Sequence, residues 1–389
     1  MNNQVTNTLV TSPLITKQSL KPALHGGDII SASAQYKIGV AQWIDLSTGL
    51  NPDSYPIDGI PASAFTHLPY LQPEFIAASR AYYHSSDSIA LIGSQMLIQN
   101  LPQCVAKRPV LLPSVGYDEH RQSWQDAGFD ISFYPAFELS NAINYIDQAL
   151  QSNPEQHLVI INPNNPSGLL IEPEQLIVWA NKLPSDCYVI VDEAFIDMRP
   201  QMSVLRSQWP NNMLVLRSFG KYFGLAGIRI GFAFCKGALK QKIEQVLGLW
   251  MINGPAQYLA GKAMRDTHWQ DVAINSINSA SHRTQQLFEP LIAHINALST
   301  TVAWETHQGL FSSYQMAENT AIDVQHYFAS NGILLRVIKL PIRLQTDQQA
   351  QLSQAQCPQA LLRVGVLGRE NQEQHSRVRE CITALIQNA

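Results

Sequence analysis

The sequence predicts an α/β fold, with a mostly parallel central sheet flanked by helices and a smaller α+β domain. Three observations carry that prediction. Short apolar, β-branched runs recur from about residue 88 to 235, and longer helix-compatible segments separate them. This is the pattern of strands covered on both faces by crossover helices. The motifs richest in chemistry fall just after those runs, where open parallel sheets bind their ligands. Beyond about residue 275 the pattern changes to one long helical stretch followed by further strand-like segments.

Taken in order, residues 1–24 are polar and Thr/Ser-rich and read as a flexible N-terminal arm. Residues 25–74 form an N-terminal segment assigned to the smaller domain. A large domain follows over 75–274. Its strand candidates are SIALIG (88–93), PVLLPS (109–114), DISFYPA (130–136), HLVIINP (157–163), CYVIVDEA (187–194), MLVLRS (213–218) and RIGFAFC (229–235). Helix candidates lie between them: SQMLIQNLPQ, YDEHRQSWQDAG and EPEQLIVWANKL. The small C-terminal domain, 275–389, opens with a helical stretch over 275–298. Strand-like segments follow near 300–304, 310–314, 333–338 and 361–366, then a closing helix. The Gln-rich LQTDQQAQLSQAQC (344–357) reads as a surface insertion without chemistry.

Composition narrows the function. The chain has 389 residues, 46% of them apolar, enough for two cores. Charged residues make up only 14%, against roughly 25% in ordinary soluble domains. A net charge of -4 gives no electrostatic reason to expect nucleic acid. Any anionic substrate must be held by local cations. Five scattered cysteines without a CxxC pair argue against a disulfide framework. No apolar run is long enough for a membrane span, and the first 20 residues lack a signal-peptide pattern, so the cytoplasm is the expected compartment. Nothing points to a metal.

Three motifs then stand in order along the chain, each beyond a predicted strand. NPNNPSG (162–168) is a turn that can present the Asn165 amide to a ligand. VIVDEAFID (189–197) ends a buried strand in Asp192 and Glu193. A Walker B strand would look similar, but no GxxxxGK[ST] accompanies it. SFGKYFGLAGIRIG (218–231) sets Lys221 between Ser218 and Arg229, with glycines around it. Alone, the first motif reads as a turn and the third as a glycine loop bearing a solvated lysine, whereas acids that end a central strand are out of place as ordinary core residues.

Together they resemble the fold-type I enzymes of pyridoxal 5'-phosphate (PLP), the aspartate aminotransferase superfamily, over nearly all the chain after residue 24. The resemblance implies the fold-type I PLP-dependent transferase fold and a role for each residue. Lys221 is the amine that condenses with the cofactor aldehyde. Asp192 keeps the ring nitrogen protonated, and Asn165 hydrogen-bonds the ring oxygen. Arg229, Ser218 and the Gly93-Ser94-Gln95 turn take the phosphate. Tyr117, in LPSVGYDEH, matches the aromatic residue that stacks on the ring. Tyr70, in THLPYLQPE, matches a tyrosine that reaches the phosphate from a neighbouring subunit, which implies a homodimer with shared sites and dimer contacts from segment 25–74. One departure is Phe195, where the superfamily often has a tyrosine.

Within the superfamily the chain is similar to the branch of histidinol-phosphate aminotransferases and threonine-phosphate decarboxylases. HGGDI (25–29) and DLSTGLNP (45–52) resemble segments of the decarboxylases. That implies a cytoplasmic carboxy-lyase acting on L-threonine O-3-phosphate and forming (R)-1-amino-2-propanol O-2-phosphate, a building block of the cobalamin nucleotide loop. Arg363, in LLRVGVLGREN, matches the arginine for the substrate carboxylate. Arg336, in GILLRVI, and His25 match residues for its phosphate, and Asn51 lies on the carboxylate side. Residue types alone leave decarboxylation and transamination open, because both begin from the same lysine and differ in which bond to Cα breaks. A non-catalytic sensor of the same fold is a third reading. It would carry a DNA-binding appendage, for which the arm is too short and too weakly charged.

Overall fold

The computed structural model describes residues 25–298, 304–340, 358–369 and 371–388. The N-terminal arm and the Gln-rich stretch lie outside those residues. Eight strands occur in the first part of the chain: β1 (Ile44–Asp45), β2 (Ser88–Leu91), β3 (Val110–Pro113), β4 (Ile131–Tyr134), β5 (His157–Ile161), β6 (Val189–Asp192), β7 (Met213–Ser218) and β8 (Gly231–Phe234). All but β1 join one seven-stranded sheet, in the order β2-β8-β7-β6-β5-β3-β4.

Each of the seven strand runs read from the sequence contributes a strand to that sheet. The pairings from β4 through β3, β5 and β6 to β7 are parallel. Helices return the chain between them, among them Asp118–Asp126, Leu139–Ser152 and Pro173–Lys182. The edge departs from the parallel pattern, since β8 runs antiparallel to both β7 and β2. The physical cause is the connection after β7. It holds one turn of α-helix (Phe219–Tyr222) and a 3-10 turn (Ala226–Ile228), with no crossover helix to carry the chain back to the starting end.

The central strands are buried on both faces, as their unbroken apolar runs require. Val159, Ile190, Leu214 and Leu216 face one core with the helices Ser94–Asn100 and Gly237–Leu247. Leu158, Ile160, Val189, Val191 and Val215 face the other, with Pro73–Tyr83 and Gly254–Arg265.

The remaining strands are β9 (Glu305–His307), β10 (Phe311–Ala317), β11 (Ile333–Leu334), β12 (Arg336–Lys339) and β13 (Gln359–Gly365). Four of them form a smaller antiparallel sheet in the order β12-β13-β10-β9. It packs on the long helix Thr267–Leu298, on Glu318–Ser330 and on the closing helix Gln372–Asn388. The long helix begins eight residues before the helical stretch expected from the sequence. Strand β1 pairs in parallel with β11, so the N-terminal segment is tied to this second region. No helix among the described residues is long and apolar enough to cross a membrane.

Candidate active site

The carboxyl ends of β5, β6 and β7 open on a cavity of about 150 Å³. Its lining brings together Gly93, Ser94, Gln95, Tyr117, Asn165, Asp192, Ser218, Lys221 and Arg229. These are all the candidate cofactor residues except Tyr70.

Asp192 is the last residue of β6 and is 3% exposed. A carboxylate so buried needs partners. The Ala194 N–H donates to Oδ1 at 3.0 Å, and His120 Nε2 lies 2.9 Å from Oδ2. Sequence reasoning missed His120. Its signal was available: it stands three residues after Tyr117 at the start of a helix, and that spacing places two side chains on one face. Glu193 points to the other side of the sheet, as alternation along a strand dictates. There it accepts from Ser203 and from the Val204 N–H, and pairs with the buried Arg217. Burial pushes its carboxyl up to about 6 against the pull of Arg217.

Lys221 sits in the single helical turn after β7. Burial, and then the charge of Arg363, pull its amine down to about 8; Asp192 opposes this and Arg229 adds to it. The DLSTGLNP segment holds the lysine loop in place. The Asn51 N–H donates to the Lys221 carbonyl at 2.9 Å, and the Asn51 amide donates to the Tyr222 carbonyl at 3.0 Å. Its side-chain oxygen accepts from the Asp53 N–H. Asn51 is therefore placed as a clamp on the lysine loop and does not line the cavity.

Phe195 does line it, 5.4 Å from Lys221 Nζ measured to the ring centroid. A Cβ at residue 49 would lie 2.8 Å from this ring, so only glycine lets Phe195 seat there. No hydroxyl faces the lysine from this position.

On the opposite wall, Arg229 adopts a left-handed conformation that brings its guanidinium against Gly93. Gly93 has φ +70° and could not carry a Cβ, which would meet Arg229 Nη2 at 2.6 Å. The result is a cation, the Ser218 hydroxyl and the backbone of the 93–95 turn lining one cavity. The Tyr117 hydroxyl donates to Gln95 Oε1 at 2.8 Å. Burial, then Glu119 and Asp192, push it up to about 12, so it remains a donor.

Arg363 on β13 is 8% exposed and reaches the cavity through Asn165, donating to its Oδ1 at 2.6 Å. A second Arg363 nitrogen donates to the Ser47 carbonyl. Burial, and then Arg336, lower Arg363 to about 10, with Asp45 opposing. Arg336 stands directly opposite Arg363 in the β12–β13 ladder. His25 lies at the rim, its Nε2 2.9 Å from Glu119 Oε1. Tyr70 is elsewhere: it is 63% exposed and contacts Trp250 edge-on.

The chain is similar to known proteins in sequence and in fold. The pattern of the aminotransferase class I and II family matches residues 60–366. A threonine-phosphate decarboxylase of Pseudomonas aeruginosa is 34% identical over 321 residues, covering 82% of this chain and 91% of that protein. One from a Sinorhizobium species is 35% identical over 252 residues, 63% of this chain and 72% of that protein. Two solved structures share the fold. L-threonine-O-3-phosphate decarboxylase from Porphyromonas gingivalis superposes with TM-score 0.64 at 15% identity, over 88% of this chain and 99% of that one. Histidinol-phosphate aminotransferase from Sinorhizobium meliloti, in complex with pyridoxal-5'-phosphate, gives 0.67 at 16% identity, over 95% and 99%. The matched stretch takes in the whole cavity and the strand of Arg363, and the chain belongs to the aminotransferase class I and II family.

Proposed function

We propose that the chain is a PLP-dependent carboxy-lyase that converts L-threonine O-3-phosphate to (R)-1-amino-2-propanol O-2-phosphate and carbon dioxide. The similarity to threonine-phosphate decarboxylases across most of the chain supports the reaction. The observation that carries the reading is the arginine pair on β12 and β13. Like charges directly opposite on a sheet repel. Arg336 and Arg363 form such a pair, and both are lowered by burial. Arg336 adds to the lowering of Arg363, and Asp118 offsets part of that of Arg336. A substrate with a carboxylate at one end and a phosphate at the other would bring an anion to each guanidinium, and each can grip two oxygens.

The cavity's donor set fits the cofactor. Lys221 would join it covalently, Asp192 would face its ring nitrogen and Asn165 its ring oxygen. Tyr117 would lie against the ring. Arg229, Ser218 and the turn at Gly93, Ser94 and Gln95 would take its phosphate. When bound, PLP accepts the electron pair left as a bond to the substrate's Cα breaks.

The protein's own work is placement and proton control. Arg363 would hold the substrate carboxylate, while Arg336 and His25 would hold its phosphate. Two anchored ends leave little freedom at Cα, and that decides which of its bonds is aligned to break. His120 keeps the Asp192 carboxylate in one orientation. Lys221, with its proton affinity reduced to about 8, holds a proton near neutral pH and can give it to Cα once the carboxylate has left. Phe195 and Phe311 make the wall beside Lys221 and Arg363 apolar.

Tyr70 fits a shared site. It is exposed and packs edge-on against the exposed Trp250, and a second copy of the chain would bury both in a homodimer.

Replacing Arg363 by lysine keeps the charge and loses the two-pronged grip on Asn165 and Ser47. Steady-state kinetics should show KM for threonine phosphate rising on the order of 100-fold. The function itself is tested with purified protein loaded with PLP. Phosphorus NMR should show threonine phosphate converted to the amino-propanol phosphate. Faster formation of glutamate from histidinol phosphate and 2-oxoglutarate would overturn the reading in favour of an aminotransferase.

A further inference from the structure

The rim of the cavity contains a chain of hydrogen bonds that no step above uses. Glu119 is at its centre, on the first turn of the helix Asp118–Asp126. One of its oxygens lies 2.9 Å from His25 Nε2. The other accepts from the side-chain amides of Gln95 and Gln99. The Gln95 carbonyl oxygen in turn accepts from the Tyr117 hydroxyl at 2.8 Å. We propose that Glu119 is a positioning residue that couples His25, from the N-terminal HGG segment, to Tyr117 in the cavity, so that one carboxylate sets both the substrate-phosphate ligand and the ring-facing tyrosine.

The direction of every bond follows from the carboxylate. It can only accept. Gln95 must therefore turn its NH2 group toward Glu119, which leaves its carbonyl for Tyr117. His25 must carry a hydrogen on Nε2 for Glu119, and to hold a phosphate oxygen it must donate from Nδ1 as well, as the imidazolium ring does. A group able to donate at position 119 would scramble both choices.

Stability alone gives little reason for the arrangement. His25 is 46% exposed, and ion pairs that reach solvent contribute little. The Glu119 side chain, at 13%, is largely removed from water. The HGG segment is also tied inward, since the Gly27 N–H donates to Ser47 Oγ at 2.7 Å and the Ser47 carbonyl accepts from Arg363. His25, Tyr117 and Arg363 come from three distant parts of the chain, and the links through Glu119 and Ser47 join them beside the cavity that Tyr117 lines. A merely structural alternative exists, in which Glu119 is an acid favoured at a helix N-terminus.

The inference rests on threonine phosphate as substrate, and its test separates the two. In Glu119→Gln, KM for threonine phosphate should rise about tenfold, the loss of one charge-assisted hydrogen bond, while kcat changes by less than about threefold. Calorimetry should show the amino-propanol phosphate binding about tenfold more weakly, with 1-amino-2-propanol unaffected. In a His25→Gln background, Glu119→Gln should add nothing further. Equal weakening of both ligands, or additive effects, would overturn the coupling. Glu119→Asp retains the acceptor and should lie between the two proteins; it serves if the Gln variant fails to fold. If the wild-type protein does not turn over threonine phosphate, the function proposal falls, and the visible circular dichroism of the bound cofactor then decides for Glu119. A changed signal in Glu119→Gln supports the link to Tyr117, and an unchanged one overturns it.

Discussion

Lys221→Ala is expected to lower turnover on the order of 10⁴-fold or more, the scale set by removing a covalent nucleophile. The imine absorbance band of the loaded protein should disappear with it, leaving only that of the free aldehyde, because no other amine lines the cavity among the described residues. The wild-type lysine also makes a pH prediction. Its amine is held down to about 8, chiefly by burial. Only the neutral amine attacks an aldehyde, and the neutral fraction grows as pH rises through the pKa. The rate at which cofactor-free protein takes up PLP should therefore climb up to about pH 8 and level off above it. A profile still climbing steeply toward the range of an ordinary lysine would mean that the pocket does not tune this group.

The second large effect concerns stability. Arg217 is 4% exposed and lies between two carboxylates, Glu193 at 0% and Asp197 at 5%. It also stacks 4.8 Å from the centroid of the Tyr83 ring. Burial works against its charge, but Asp197 and Glu193 hold its pKa above the ordinary arginine value. Arg217→Met would leave two buried acids without their cation. Breaking such a group costs about 3–5 kcal/mol, whereas replacing all its members with apolar residues often costs nothing. Urea unfolding should register the loss. Its pH dependence follows from Glu193, whose carboxyl is already pushed up to about 6. Without Arg217 that value rises further, so the folded state binds a proton that the unfolded state releases. The deficit should shrink as the pH falls below neutrality, and a deficit that is constant with pH would speak against buried charge as its cause.

Much of this was legible in the sequence, for physical reasons. Strands buried on both faces must be apolar throughout, so β5, β6 and β7 announced themselves. Loops that carry ligands follow the carboxyl ends of such strands, so Asn165, Asp192, Lys221 and Arg229 could be collected before any coordinates. The antiparallel β8 was not read, because its direction depends on what the lysine loop omits. Residues acting through partners far along the chain were also hidden. His120 supports an acid 72 positions away, and Arg363 reaches Asn165 across 198. Asn51 stands in a segment whose resemblance pointed to substrate, yet its amide is committed to the Tyr222 carbonyl and the Asp53 N–H. Glu193 and Arg217 carry chemistry-bearing side chains, but strand alternation turns them away from the cavity.

The claim at the centre of the account is that these residues hold a substrate so that its carboxylate leaves. The most direct measurement is the carbon dioxide released from carboxyl-labelled L-threonine O-3-phosphate by the PLP-loaded protein, with every 2-oxo acid left out. The account predicts one carbon dioxide for each threonine phosphate consumed, sustained over many turnovers. Retention of the label in a 2-oxo acid product, or consumption that stops after one turnover until 2-oxoglutarate is added, would contradict it.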